Sequence, residues 1–77
     1  MQFNISRDKK IQAILDLLAE CEAAIYRDAL ALGLDPETLT YAWTPQVVGE
    51  ALQATAESLQ RELSRHQLMK EKLEALG

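Results

Sequence analysis

The sequence predicts an all-α fold, an antiparallel two-helix hairpin that dimerises into a four-helix bundle. This chain of 77 residues contains thirteen Leu and eleven Ala but only six Ile and Val in total. That composition favours helix over strand. Apolar residues recur at alternating steps of three and four along two long stretches, which is typical of helices packed side by side. The connection between the stretches is short enough to fold the helices back on each other. We therefore predict one helical-hairpin domain over residues 1–77.

The first helix is predicted over about residues 6–32. Ser6 or Asp8 can cap its start, because a short side-chain oxygen accepts a hydrogen bond from a free amide of the first turn. Gly33 suits the left-handed conformation that ends a helix. The side facing the second helix is predicted to carry Ile11, Ile14, Leu18, Cys21, Ile25 and Leu32.

The connection is predicted over residues 33–44. Within it, Asp35 precedes Pro36, a cap-then-proline pattern that predicts one helical turn through about Tyr41. Half of the aromatic residues of the chain fall in this segment, and aromatic side chains are frequent in interface hot spots. They contact a protein partner or close the open end of the hairpin as an apolar plug, and both hold if the plug leaves an aromatic face exposed beside Asp35 and Glu37. The candidate partner-binding residues are Asp35, Glu37, Leu39, Tyr41 and Trp43.

The second helix is predicted over about residues 45–76. Thr44 supplies a capping hydroxyl, and Pro45 follows at the first helical position, where its missing N–H costs nothing. Ala56 and Leu63 broaden the inward side of this helix near its middle. The remaining inward residues are predicted to be Val48, Leu52, Thr55, Leu59, Glu62, His66, Met69, Leu73 and Leu76.

The first helix carries more apolar surface than one partner helix can cover. Ile14, Leu15, Leu17 and Leu18 lie within five positions, and two helices alone enclose little core. Pairing with a second copy is the simplest remedy, since two-fold dimers are the commonest oligomers. The candidate residues for self-association are Leu15, Leu17, Leu18, Ala24, Ile25, Leu59 and Leu63.

The charge and composition argue against several classes of protein. A net charge of −4 makes nucleic-acid binding unlikely, because that function needs a basic face. A single cysteine, Cys21, excludes a disulfide framework within the chain. No apolar run is long enough to span a membrane, and the first ten residues lack the apolar centre of a signal peptide. We therefore expect a cytoplasmic protein.

The few chemically active side chains do not form a recognisable reactive set. No serine or cysteine has a histidine base and an orienting group at a suitable spacing, so neither an enzyme nor a cofactor is predicted. Glu62 and His66 lie one helical turn apart and are the weak candidates for a metal site, although the spacing differs from the Glu-x-x-His of di-iron bundles. A hydrogen bond from His66 to Glu62 or Asp8 is preferred.

These features predict a small protein-interaction or regulatory protein, a self-associating hairpin that docks on a protein partner. Two alternatives remain. One is a structural subunit whose self-association is its role. The other is a bundle that carries a metal or ligand near Glu62 and His66.

Overall fold

A computed structural model describes residues 5–46 and 49–77 of the chain, and these form two helices packed against each other. Helix α1 spans Arg7–Ala31 and helix α2 spans Glu50–Leu76, with a single 3₁₀ turn at Pro36–Thr38 between them. The described ranges contain no strand, so the predicted all-α hairpin is confirmed. Neither helix has an apolar stretch long enough to cross a membrane.

Local capping sets both ends of α1. The hydroxyl of Ser6 accepts a hydrogen bond from the backbone N–H three residues later, at 3.3 Å. At the other end Gly33 adopts a positive φ of 75°. Its N–H donates to the carbonyl of Leu30, and the Leu34 N–H donates to that of Ala29 at 2.8 Å. This pair of bonds is a Schellman motif, which requires the left-handed conformation that glycine adopts without strain.

The 3₁₀ turn of the connection begins as predicted, with Asp35 as its cap. A carboxylate oxygen of Asp35 accepts a hydrogen bond from the Glu37 N–H at 3.0 Å. The turn ends at Thr38, three residues before the predicted end near Tyr41. Short 3₁₀ turns are the usual result, because their hydrogen bonds have poorer geometry than those of an α-helix.

The predicted start of the second helix was wrong. The N–H of Trp43 closes a turn onto the Thr40 carbonyl at 3.1 Å, and Pro45 follows outside any helix. Gly49, with an extended backbone (φ −66°, ψ 159°), precedes the first helical residue. A glycine inside a helix costs about 1 kcal/mol relative to alanine, whereas at the position before a helix it is tolerated. Val48, predicted for the inward side, lies outside the described residues.

Among the described residues, most of the core lies in two clusters between the helices. The cluster nearer the termini contains Leu18, Cys21 and Met69. The cluster nearer the connection contains Ala29, Leu59 and Leu63, and it is covered by Leu32, Leu34, Leu39 and Trp43. These residues follow the three-and-four spacing of both predicted inward sides. Trp43 and Leu39 therefore pack against the core, as the interpretation of the connection as a plug predicts.

Candidate functional site

A pocket of about 360 Å³ lies where the connection crosses the two helices. It brings together two predicted partner-binding residues, Leu39 and Tyr41, with the predicted weak metal candidate His66. The other lining residues are Glu22, Ile25, Pro36, Thr40 and Leu63.

Three polar side chains form a hydrogen-bonded chain across this pocket. His66 Nε2 lies 2.9 Å from a carboxylate oxygen of Glu22, and His66 Nδ1 lies 2.6 Å from the Tyr41 hydroxyl. An ionised carboxylate only accepts, so Nε2 carries the proton, and in the neutral ring Nδ1 accepts from the Tyr41 O–H. The chain ties α1, α2 and the connection together at one point.

The partners predicted for His66 were wrong. Its contacts are Glu22 and Tyr41, rather than Glu62 or Asp8. Asp8 is fourteen residues from Glu22 along α1, about 21 Å at the rise of an α-helix, so it is too far toward the termini. No group of three or more His, Cys, Asp and Glu side chains that could hold a metal occurs within residues 5–46 and 49–77.

A second polar contact lies between the helices at Asp28 and Glu62. Asp28 is only 9% exposed. One carboxyl oxygen of each residue is buried without a hydrogen-bond partner among the described residues. Ser58 donates to the other Glu62 oxygen at 3.1 Å, and Arg27 lies 3.8 Å from the other Asp28 oxygen. A proton on one of the two unpaired oxygens would make it a hydrogen-bond donor to the other, so that Asp28 and Glu62 share one proton.

Burial raises the pKa of Glu62, and the neighbouring Asp28 carboxyl raises this pKa further. Ser58 and Arg27 act in the opposite direction. The Glu62 side chain therefore holds its proton to a higher pH in the folded chain than in the unfolded chain. The stability that this proton contributes is fully present below the ordinary carboxyl pKa of about 4.3, and it is lost as the pH rises through the raised pKa.

We expect Glu62→Gln to stabilise the hairpin at neutral pH by up to about 1 kcal/mol, because the amide supplies a permanent donor to Asp28. Urea denaturation at neutral pH and at pH ~4 checks this. The gain should shrink at the lower pH, where the Glu62 carboxyl binds its own proton. Glu71→Gln removes an exposed carboxylate from the same helix and is the control. An equal gain from both variants, or no gain from Glu62→Gln, would contradict the shared-proton contact.

Sequence reasoning missed Asp28 because only apolar residues were assigned to the inward side of α1. Position 28 lies three residues after Ile25 and four before Leu32, so it continues the same spacing. Glu62 lies on the matching series of α2. Glu62 was already predicted to face inward, and tracing the spacing of α1 without regard to polarity would have placed Asp28 between the helices as well.

Cys21 lies in the core, as predicted, but at a different level of the hairpin. Its thiol donates to the Glu62 carbonyl at 3.2 Å and belongs to the cluster with Met69, whereas the helix spacing predicts a position opposite the small residues near Ala56. Burial raises the pKa of this thiol. The charge of Glu62 and, more weakly, that of Glu22 raise the pKa further, and only Arg65 opposes them. These surroundings disfavour the reactive thiolate.

The predicted self-association residues divide into buried and exposed sets. Leu18, Leu59 and Leu63 are buried between the chain's own helices, where they leave little surface for a second copy. These three residues follow the three-and-four spacing that predicts packing within the hairpin. The exposed members are Leu15 and Leu17, and the half-buried ones are Ala24 and Ile25.

The predicted partner-binding residues divide in the same way. Trp43 and Leu39 are half-buried against the core, while Tyr41, Asp35 and Glu37 are exposed. No family model, curated protein or solved structure matches this chain. The evidence for function therefore comes from the surface and the pockets of the hairpin.

Proposed function

We propose that this chain is a protein-interaction protein, a helical hairpin that pairs with a second copy to form a four-helix bundle and then docks on a protein partner. The shape of the hairpin supports the pairing. It measures 47 × 27 × 18 Å, and its shortest dimension is less than two helix diameters of about 10–12 Å. Two helices enclose little core on their own.

The exposed area of the hairpin is the observation that carries the proposal. The chain exposes 5889 Å², whereas a folded monomer of its mass, 8.6 kDa, exposes about 4,700 Å². The excess of about 1,200 Å² is larger than the ~800 Å² that each partner buries in a standard interface. A second copy would cover an area of this size.

The outer α1 face, which consists of Leu15, Ala19, Tyr26 and Leu30, is the surface that we assign to the second copy. Leu15 is 43% exposed, Tyr26 54% and Leu30 56%. Spacings of eleven and fifteen residues are close to three and four whole turns, so these side chains form one stripe on the helix. Isolated apolar residues on a surface are ordinary, but a continuous stripe marks an interaction site.

The order of residues along this face suits a two-fold axis. If two copies of α1 cross antiparallel with the axis between positions 22 and 23, Leu15 of one copy lies opposite Leu30 of the other. The large Tyr26 then lies opposite the small Ala19. In a two-fold interface every such contact occurs twice, so one face supplies both sides of a complementary surface.

The pocket beside Tyr41 is where we place the protein partner. It lies at the connection end of the hairpin, and its polar chain holds the Tyr41 ring in position. Tyrosine combines a large apolar ring with a polar tip and is enriched in interfaces. Asp35 and Glu37 are exposed close by, which favours a partner with a basic surface.

The proposal is tested first with Leu15→Glu. We expect the dissociation constant of the dimer to rise at least about 100-fold, because the substitution places two unpaired carboxylates in an apolar interface. Light scattering after size exclusion across a dilution series measures this. Leu68→Glu is the control, because Leu68 is even more exposed (54%) but lies on α2. An unchanged Leu15→Glu dimer, or equal loss from Leu68→Glu, would show that the outer α1 face is not the interface.

The two-fold arrangement predicts a rescue. Adding Leu30→Lys to Leu15→Glu places opposite charges across the axis twice, so at least part of the lost dimer should return. The control is Leu68→Lys added to Leu15→Glu, which gives the same net charge but does not place the lysine opposite the glutamate of the other copy. Equal recovery from both pairs would contradict the antiparallel register.

A further inference from the structure

An apolar groove lies at the end of the hairpin where α1 begins and α2 finishes. Its volume is about 480 Å³, within the range of about 300–1,000 Å³ typical of small-molecule sites. It runs between the first two turns of α1 and the last turn of α2. The apolar residues that line it are Ile5, Ala13, Ile14, Ala75 and Leu76.

Three lysines line the same groove: Lys9, Lys10 and Lys72. No acidic residue lines it, and none of the three ammonium groups forms an ion pair within the described ranges. This positive rim stands out on a chain whose net charge is −4. Lysine side chains can lay their methylene stems along an apolar surface while the ammonium group stays in water. The groove therefore combines an apolar floor with several free cations at its edge.

We propose that this groove binds a single-chain anionic amphiphile, such as a fatty-acid carboxylate, in its monomeric form. The acyl chain covers the apolar floor, including the exposed side chain of Ile5, and the carboxylate is held by the lysine ammonium groups. The charge complementarity selects an anionic headgroup, and the concave, mainly apolar lining selects a hydrocarbon tail. A groove of about 480 Å³ has room for one acyl chain, so a single amphiphile fills it.

The groove is separate from the outer α1 face. Ala13 and Ile14 end the groove on α1, and the pairing stripe begins with Leu15 and continues away from the termini. The amphiphile site therefore does not depend on the proposed dimer, and either proposal can fail without the other.

Titration of the full chain with dodecanoate below its micelle concentration tests the site by NMR. We expect saturable shifts of the amide resonances of Ala13 and Ala75. Dodecyltrimethylammonium carries the same tail with the opposite charge, and it should bind at least about tenfold more weakly. Acetate, which lacks the tail, should give no saturable shift. Equal binding of the two dodecyl compounds, or no saturable binding of dodecanoate, would overturn the proposal.

Lysine variants provide the matched control. Lys10→Gln combined with Lys72→Gln should weaken dodecanoate binding at least about tenfold. Lys70→Gln, an exposed lysine of the same helix outside the groove, should leave it unchanged. Equal effects of the two sets would overturn the proposal.

Shifts that follow protein concentration instead of dodecanoate would assign the groove to a second copy. Binding to phosphatidylglycerol vesicles but not to dodecanoate would assign it to a membrane surface, and either result overturns the proposal.

Discussion

Leu59→Ala is expected to unfold most of the chain at room temperature. Leu59 is fully buried, with 0% exposure, in the cluster that it forms with Ala29 and Leu63. Truncating a buried leucine removes its transfer free energy and leaves a cavity, a combined loss of about 3–5 kcal/mol. A single core in a chain of this size rarely supplies more than about 3–5 kcal/mol. The loss is therefore comparable to the whole stability of the hairpin.

Far-UV circular dichroism with urea denaturation measures the effect. Leu68→Ala is the matched control, because it removes the same side chain from an exposed position of the same helix, and its effect should be within about 0.5 kcal/mol. Full helicity and an unchanged urea midpoint for Leu59→Ala would show that the core is not where the structure places it.

Trp43→Ala is expected to destabilise the hairpin by about 2 kcal/mol. Truncation of a buried tryptophan costs about 3–5 kcal/mol, and Trp43 is only half-buried against the cluster around Leu59. Its removal exposes the connection end of the core, so α2 should lose protection in the turns closest to Glu50. Thermal denaturation and hydrogen exchange measure the two effects.

Trp43→Phe keeps most of the apolar contact and should lose less than half as much stability. If Trp43→Ala leaves both stability and exchange unchanged, the indole is not a structural plug. Tryptophan would then be free to serve a partner, as the alternative interpretation of the connection predicts.

Local signals predicted α1 well because its ends are fixed by neighbouring residues. Ser6 caps the helix through a bond three residues away, and Gly33 ends it through its own backbone conformation. Neither signal depends on the rest of the chain. The start of α2 was mispredicted because Thr44-Pro45 suits a turn as well as a helix start. In the structure Trp43 packs against the core, and Thr44 and Pro45 after it are not helical. A local sequence pattern does not contain this long-range contact.

The polar contacts were harder to predict than the apolar ones. The three-and-four spacing identified Leu18 and Leu59 as inward residues, because burial of apolar groups repeats with the helix period. The partner of His66 depends on the register between the helices, and an apolar stripe permits more than one register. The contacts of His66 with Glu22 and Tyr41 belong to the register that the structure shows. Such polar contacts are a known means of fixing register between helices.

Sedimentation equilibrium of the unmodified chain, across a wide dilution series at neutral pH, tests the central claim most directly. The area that the hairpin leaves exposed leads us to expect a mass of twice 8.6 kDa, falling toward the monomer only on dilution. A mass of 8.6 kDa at every concentration, with helicity intact, would contradict the claim that a second copy completes the core.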